Sequence, residues 1–303
     1  MSAGDPGERR IGVDLGGTKI EAVVLGAGGH VERRERVPTP AAEGYEAIVS
    51  AIATLVRQIE EGFGTLSVGI GTPGTISGKT GALKNSNTTV LNGRRVHEDL
   101  AGALARPVRI ANDANCLALS EATDGAGAGA SVVFAVILGT GVGGGWCVDG
   151  KLYAGLQGVA GEWGHNPLEP ETGPQCYCGR RGCVETFLSG PGFARDYAGA
   201  ESLSSEQIMA RAAVGEPLAV QAFDRYVSRL GRALASVVNI IDPDVVVLGG
   251  GMSKVRAIYP RMSEALRPHV FSDEVRTPIV PARHGDSSGV RGAAWLWPRD
   301  AAG

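Results

Sequence analysis

The chain has 303 residues, a formal net charge of −3, 43% hydrophobic and 20% charged residues, and a pI near 6.0. That length suffices for two domains with their own cores, and the composition is that of a globular chain, neither disordered nor fibrous. The mildly acidic balance supplies no basic field for nucleic acid or an anionic membrane. No run approaches the roughly 20 apolar residues of a membrane span, and the polar start Met1 to Arg10 lacks the apolar stretch of a signal peptide, so a cytoplasmic location is expected.

Ile11-Gly-Val-Asp-Leu15 reads as a short apolar strand, Gly16-Gly17-Thr18-Lys19 as a turn, and Ile20 to Leu25 as the returning strand of a hairpin. A third strand follows near Val31 to Val37. Ile48, Ile52, Leu55, Val56 and Ile59 fall at helical spacing within Tyr45 to Glu61. Val68 to Ile70 is a strand ending in Gly71-Thr-Pro-Gly74. Pro107 to Ile110 is another, leading into Asn112-Asp113-Ala114-Asn115, where a helix is expected to open. The order β-β-β-α-β-α-β-α predicts a mixed sheet with helices against it.

The pattern then restarts. Val132 to Leu138 is a strand, Gly139-Thr-Gly-Val-Gly-Gly-Gly145 a glycine-rich turn, and Trp146 to Val148 the return. Strand, glycine turn and strand, half a chain after the first set, predict two related halves. A loop-rich stretch from Lys151 to Gly192 follows. Helices are expected at Ser205 to Ala213, Glu216 to Ile240 and Val255 to Leu266, strands at Val245 to Leu248 and Pro278 to Val280, and a terminal helix at Gly289 to Trp297, closed by Pro298.

Three glycine clusters are candidate ligand sites. In Asp14-Leu-Gly-Gly-Thr-Lys19 the backbone N–H groups of Gly16 and Gly17 can approach an anion, Thr18 and Lys19 add a hydroxyl and a charge, and Asp14 can hold Mg²⁺ directly or through water. Gly139, Thr140 and Gly141 are a second candidate phosphate cradle. Because this G-x-G-x-G leads into a strand, it is not a dinucleotide-binding turn. Gly249, Gly250, Gly251 and Met252 follow a buried strand and leave room for a base and ribose. Each cluster alone is also compatible with an ordinary tight turn.

Five cysteines, Cys116, Cys147, Cys176, Cys178 and Cys183, argue against a disulfide framework. Cys176-x-Cys178-x₄-Cys183, with His165 eleven residues upstream, supplies three sulfurs and one nitrogen, a closed tetrahedral set suited to a structural Zn²⁺. Cys116 and Cys147 are expected to be small buried residues.

The three glycine clusters, in this order and spacing, resemble the ATP-binding sequence of the superfamily that joins actin, heat-shock chaperones and hexokinases. Asp14 to Lys19, Ala111-Asn-Asp-Ala-Asn-Cys116, Gly161-Glu-Trp-Gly-His165 and Cys176-Tyr-Cys-Gly-Arg-Arg-Gly-Cys183 resemble the ROK family of bacterial sugar kinases and repressors, over nearly the whole chain. Lys84-Asn-Ser-Asn-Thr88 with Leu91-Asn-Gly93, Ala160 to Leu168 and His284 to Trp297 look most like its fructokinase or manno(fructo)kinase branch, with the N-acetylglucosamine kinases as near relatives.

The resemblance implies an α/β protein of the actin-like ATPase fold, with two α/β domains and a cleft between them. A small N-terminal domain over 1–115, completed by a C-terminal helix over 288–303, would face a large domain over 116–287 that carries the zinc loop and a dimer surface. It implies ATP and Mg²⁺, a homodimer, and Asp113 as the base, although local sequence alone favours Asp113 as a helix cap. It places sugar contacts at Asn87, Asn112, Asp113, Glu162, His165 and Glu185, with Gly74 and Thr75 adding to them. His165 would bind metal through one ring nitrogen and sugar through the other. The implied reaction is transfer from ATP to the 6-hydroxyl of a hexose, fructose or mannose on the branch resemblance, N-acetylglucosamine or glucose as the alternative. A sugar-sensing repressor is the reading from another class. With the first strand at Ile11 and the phosphate motif intact, the sequence leaves that reading less room.

Overall fold

The computed structural model describes residues 9–197 and 202–297; the start Met1 to Glu8, the segment 198–201, Pro298 and the rest of the expected 288–303 segment lie outside the described residues. The first half runs β1 (Arg10–Leu15), β2 (Lys19–Leu25), β3 (Val31–Pro38), α1 (Tyr45–Ile59), β4 (Ser67–Thr72), β5 (Thr75–Ile76), β6 (Leu83–Lys84), α2 (Val96–Leu104), β7 (Val108–Asn112) and α3 (Asp113–Asp124). The second runs β8 (Val132–Leu138), β9 (Val142–Val148), β10 (Lys151–Leu152), α4 (Glu185–Leu188), α5 (Gly190–Asp196), α6 (Ser205–Ala213), α7 (Pro217–Ile241), β11 (Val245–Gly249), α8 (Met262–Leu266), β12 (Ile279–Pro281) and α9 (Ser288–Trp295).

The two halves build sheets of the same topology, in the orders β3-β2-β1-β4-β7 and β10-β9-β8-β11-β12. In each, a central strand pairs antiparallel with its hairpin partner and parallel with the strand on its other side. The duplication anticipated from the glycine turns is therefore present strand for strand. The reason lies in side-chain patterning. Strands β8 and β11 are apolar on both faces, as interior strands covered by helices must be, whereas β1 sets Ile11, Val13 and Leu15 on one face and Arg10 and Asp14 on the other. By contrast, β3 carries Glu32, Arg33, Arg34, Glu35 and Arg36, charges suited to an edge. Helix α1 buries Ile48, Ile52, Leu55, Val56 and Ile59 against the first sheet, and the 25-residue α7 buries a long apolar stripe against the second.

Helices α3 and α9 pack on each other between the sheets, and a third apolar cluster forms there from Leu117, Val290 and Trp295 together with β2 and β8. The backbones touch. A Cβ placed on Gly292 would stand 1.7 Å from the carbonyl oxygen of Cys116. Gly292→Ala is therefore expected to destabilise the protein by about 3 kcal/mol or more, since a helix carbonyl cannot step aside. A denaturant midpoint shift measures this directly; a wild-type midpoint would show that the two helices separate freely.

Three expectations need correction. The helix expected at Val255 to Leu266 is a 3₁₀ turn over Arg256–Arg261 followed by the short α8, because Pro260 cannot continue an α-helical ladder. The return strand begins at Val142, not Trp146. The loop-rich stretch contains α4 and β10. Cys116 and Cys147 are buried as expected. Among the described residues no helix is long and apolar enough to cross a membrane.

Candidate active site

The first sheet delivers Asp14 at the end of β1, and the register places it directly opposite Glu21 of β2. Opposed residues of an antiparallel pair share a face, so two carboxylates meet there. Glu21 is held by Arg36 at 2.8 Å and lies 3.5 Å from both Lys19 and Arg34. Lys19, expected to serve a phosphate alone, is thus also a counter-charge to Glu21. Burial, and then the charges of Asp113 and Glu21, push the Asp14 carboxyl up to about 6, with Lys19 pulling the other way. A carboxylate disfavoured in this way gains from a cation beside it, which suits a Mg²⁺ ligand.

The turn Gly16 to Lys19 is closed by the Gly16 N–H to the Lys19 carbonyl at 3.0 Å, and Gly17 and Thr18 stand exposed at its tip. Thr39 braces it: its hydroxyl donates to the Gly16 carbonyl at 2.7 Å and its N–H to that of Thr18 at 3.0 Å.

Strand β7 delivers Asn112 and Asp113. The cap of α3 is Asn112, whose Oδ1 accepts from the Asn115 N–H at 2.8 Å. Asp113 is the first residue of the helix, not its cap, and its Oδ1 accepts from the Ala114 N–H. The cap role that local sequence alone favours for Asp113 therefore belongs to Asn112. Asn112 takes the capping duty, and among the described residues the second oxygen of Asp113 accepts no hydrogen bond from another residue. Asp113 is open to solvent by surface area, yet its carboxyl is closely surrounded by protein atoms. That burial, opposed by the Ala114 N–H and reinforced by the charge of Glu162, holds its carboxyl above the usual range.

The second glycine turn is closed by the Gly139 N–H to the Gly141 carbonyl at 2.9 Å, with Thr140 exposed at its tip. It borders a cavity of about 390 Å³ lined also by Gly251 and Met252, and by Pro191, Ser204 and Ser205, which carry no motif and were not anticipated. Gly250 has φ +82° and sits against the backbone of Leu138, so the third cluster is needed for close packing.

The remaining predicted residues lie on loops and short elements of both halves. Asn87 is exposed on the loop after β6, and Gly74 packs against the Lys84 carbonyl at the start of β5, where Thr75 lies. Glu162 precedes a short 3₁₀ turn, Trp163–His165. Glu185, expected to hold sugar, uses one oxygen to accept from the Val142 N–H at 2.9 Å, next to Gly141. It therefore ties the cysteine loop to the second glycine turn.

The Nδ1 of His165 and the sulfurs of Cys176, Cys178 and Cys183 lie within 4.8 Å of one another, with His165 Nδ1 to Cys176 Sγ and Cys178 Sγ to Cys183 Sγ both 3.6 Å. Metal bonds of about 2.3 Å to sulfur and 2.0 Å to nitrogen put tetrahedral ligand atoms roughly 3.4–3.8 Å apart, so two of these contacts already match such an ion and the set can close on one with small shifts. The other His165 nitrogen, Nε2, faces the Tyr177 hydroxyl at 3.0 Å. Sequence reasoning missed Tyr177, although its position between two candidate ligands was the available signal. Partial burial of its hydroxyl, then the charges of Glu185, Cys176 and Glu162, push the phenol up to about 12.

The His284 segment, for which the sequence offered no account, also has a place. The buried Glu121 accepts from the N–H groups of Arg283 and His284 and from the Ser288 hydroxyl. Asp124 accepts from the His284 ring and from Arg291. The segment thus fastens the end of α3 to the start of α9.

The profile of the ROK family matches residues 10–300. The chain is 39% identical over 295 residues to the N-acetylgalactosamine kinase of Shewanella sp. (strain ANA-3), covering 94% of this chain and 95% of that one. It is 41% identical over 298 residues to the N-acetyl-D-glucosamine kinase of Aliivibrio salmonicida (strain LFI1238), covering 94% and 98%. Among solved structures it superposes on the ROK hexokinase from Thermus thermophilus with a TM-score of 0.84 at 34% identity, covering 94% and 96%. For the ROK glucokinase from Streptomyces griseus in complex with glucose and AMPPNP the TM-score is 0.80 at 30% identity, covering 95% and 98%. The duplicated sheets are those of the actin-like ATPase fold.

Proposed function

The chain belongs to the ROK family, and from that premise we propose that it transfers the γ-phosphoryl group of ATP to the 6-hydroxyl of an N-acetylhexosamine, N-acetylglucosamine foremost. The carrying observation is Asp113: a solvent-reached carboxylate at the start of α3, within electrostatic reach of both Asp14 and Glu162. One neighbour belongs to the phosphate side and the other to the sugar side, so a base between them can take the proton of an attacking hydroxyl.

In this reading adenosine enters the cavity beside Gly251 and Met252, and the phosphates pass the Gly139–Gly141 turn toward the Gly16–Lys19 turn. Asp14 would hold Mg²⁺, which when bound offsets phosphate charge. Asn87, Asn112, Glu162, His165 and Glu185 converge on the sugar, with Gly74 and Thr75 at the rim. Zn²⁺ in the His165, Cys176, Cys178 and Cys183 set would be structural, since the protein fills all four positions. Fructose, expected from the Lys84 and His284 segments, is the weaker reading beside relatives that span nearly the whole chain and act on N-acetylhexosamines. One or two pocket contacts of about 1–3 kcal/mol each decide among these sugars.

Turnover of N-acetylglucosamine, N-acetylgalactosamine, glucose, mannose and fructose with ATP, side by side, tests this. An N-acetylhexosamine is expected to give the highest kcat/KM. Fructose leading would return the fructokinase reading, and sugar binding without turnover would favour a sensor.

A further inference from the structure

The Thr88 side chain is buried, with 7% of the residue exposed, and its hydroxyl oxygen has no hydrogen-bond partner among the described residues. An unpaired buried hydroxyl costs about 1–3 kcal/mol and calls for an explanation. Its location supplies one. A Cβ built on Gly17 has a single neighbour within 4 Å, the Thr88 Oγ1 at 3.6 Å. The hydroxyl therefore lies beneath the tip of the first phosphate turn.

Gly17 is also the part of that turn left unfastened. The Gly16 N–H and carbonyl are bonded to Lys19 and Thr39, and the Thr18 carbonyl to Thr39. Among the described residues, the backbone groups of Gly17 make no hydrogen bond. The Thr88 loop, in contrast, is fixed. The Asn92 side chain grips both backbone groups of Ser86 at 2.9 Å, the Ser86 hydroxyl accepts from the Thr88 N–H at 3.1 Å, and the Leu91 N–H donates to the Thr88 carbonyl at 3.0 Å. A rigid loop thus holds an unused hydroxyl against a loose glycine.

We infer that Thr88 is a positioning residue for phosphoryl transfer: when the terminal phosphate enters the Gly16–Lys19 turn, Gly17 settles onto the Thr88 hydroxyl, which completes the anchoring of the turn. The inference rests on the kinase reading for its reaction but not for its measurement. The turn lies beside Asp14 and Asp113, whereas the Gly139–Gly141 turn borders the nucleoside cavity, so the first turn meets the γ-phosphate. A group fixed in advance lowers the reorganisation needed when charge arrives.

The test compares Thr88→Val, which keeps shape and removes the hydroxyl, with Thr88→Ser, which keeps the hydroxyl. Calorimetric affinities for AMPPNP and ADP, each with Mg²⁺, give a preference for the terminal phosphate. Loss of one such bond is worth about 5–10-fold. Thr88→Val is expected to lower the AMPPNP-to-ADP preference and kcat by about that factor, with sugar KM near wild type and melting temperature at or above it, and Thr88→Ser is expected to recover both. If Thr88→Val leaves both within about twofold, the hydroxyl is served by water alone and the inference fails. It fails equally if both variants lose the preference together with melting temperature, which would mark a packing role. A wild-type protein that phosphorylates no sugar would overturn the kinase reading, while the AMPPNP-to-ADP comparison would still judge Thr88.

Discussion

Asp113→Asn is expected to lower kcat by about 10²–10⁴-fold, the range of a positioned general base, while nucleotide and sugar affinities change little. Asn keeps the shape and can still accept from the Ala114 N–H, so the helix start survives. The pH dependence gives a second, independent reading. Burial and the charge of Glu162 hold the Asp113 carboxyl above its ordinary value. A base works only when ionised, so kcat/KM should fall as pH drops through that raised pKa, above the pH at which an ordinary aspartate titrates. Glu162→Gln removes a like charge, and the acid limb should then move to lower pH even as sugar KM rises.

Stability follows the opposite sign. A carboxylate with a raised native pKa binds more protons folded than unfolded, so its ionised form costs stability as pH rises from the unfolded value, 3.8, through the native one. Asp113→Asn should therefore be as stable as wild type or more so at pH 7, with the difference closing as pH falls below 4. Denaturant midpoints at pH 7 and pH 4, run beside kinetics, separate a base from a structural residue. A variant that keeps more than about a tenth of wild-type kcat, or loses stability at pH 7, would remove Asp113 from the base role.

What the sequence made legible was what periodicity and glycine control. The hairpin at Asp14 to Lys19 and its echo at Gly139 to Gly145 predicted the duplicated sheets, because a short apolar strand returning through glycines has few alternatives. Helices with a clear stripe, such as α1 and α7, were placed to within a residue or two. The Val255 to Leu266 region was not, because its apolar spacing pointed to one helix while Pro260 decided otherwise. In the site, residue types and spacing found the cysteine set and the glycine turns. They did not find Tyr177, Thr88, Pro191 or Ser204, whose roles come from which loop faces which, and that is a tertiary fact. The substrate was the least legible feature. The same Asn, Glu and His residues would contact any hexose, and branch resemblance in short segments pointed to fructose where whole-chain similarity points to N-acetylhexosamines.

Removing the zinc proposed for the His165, Cys176, Cys178 and Cys183 set is expected to have the other large effect, and to act on the sugar before the nucleotide. The four candidate ligands close a loop from His165 to Cys183, and residues proposed to bind sugar sit at both ends: Glu162 three residues before His165, and Glu185 two after Cys183. Apart from these ligands, among the described residues its one strong tie to the domain core is Glu169, paired with Arg229 and Arg232 of α7 at 3.1 and 2.8 Å. The loop's turns depend on bonds such as the Leu168 N–H to the Gly182 carbonyl and the Cys176 N–H to the Arg180 carbonyl, and Cys178 is exposed. An ion bonded to four side chains replaces the apolar core that so short a loop cannot form. Cys183→Ser, or prolonged chelation, should therefore lower the melting temperature and cut kcat/KM for the sugar by 10–100-fold or more, in the range seen when metal-site partners are removed. Glu185 also braces the Val142 N–H beside the second glycine turn, so a smaller rise in ATP KM should follow. The core of the first sheet does not include the loop, so the protein should lose its sugar site without unfolding entirely. Elemental analysis is expected to find one zinc per chain in the wild type and less than a tenth of that in the variant. Full sugar turnover in metal-stripped protein, with an unchanged melt, would show that the cysteines hold the loop without a metal.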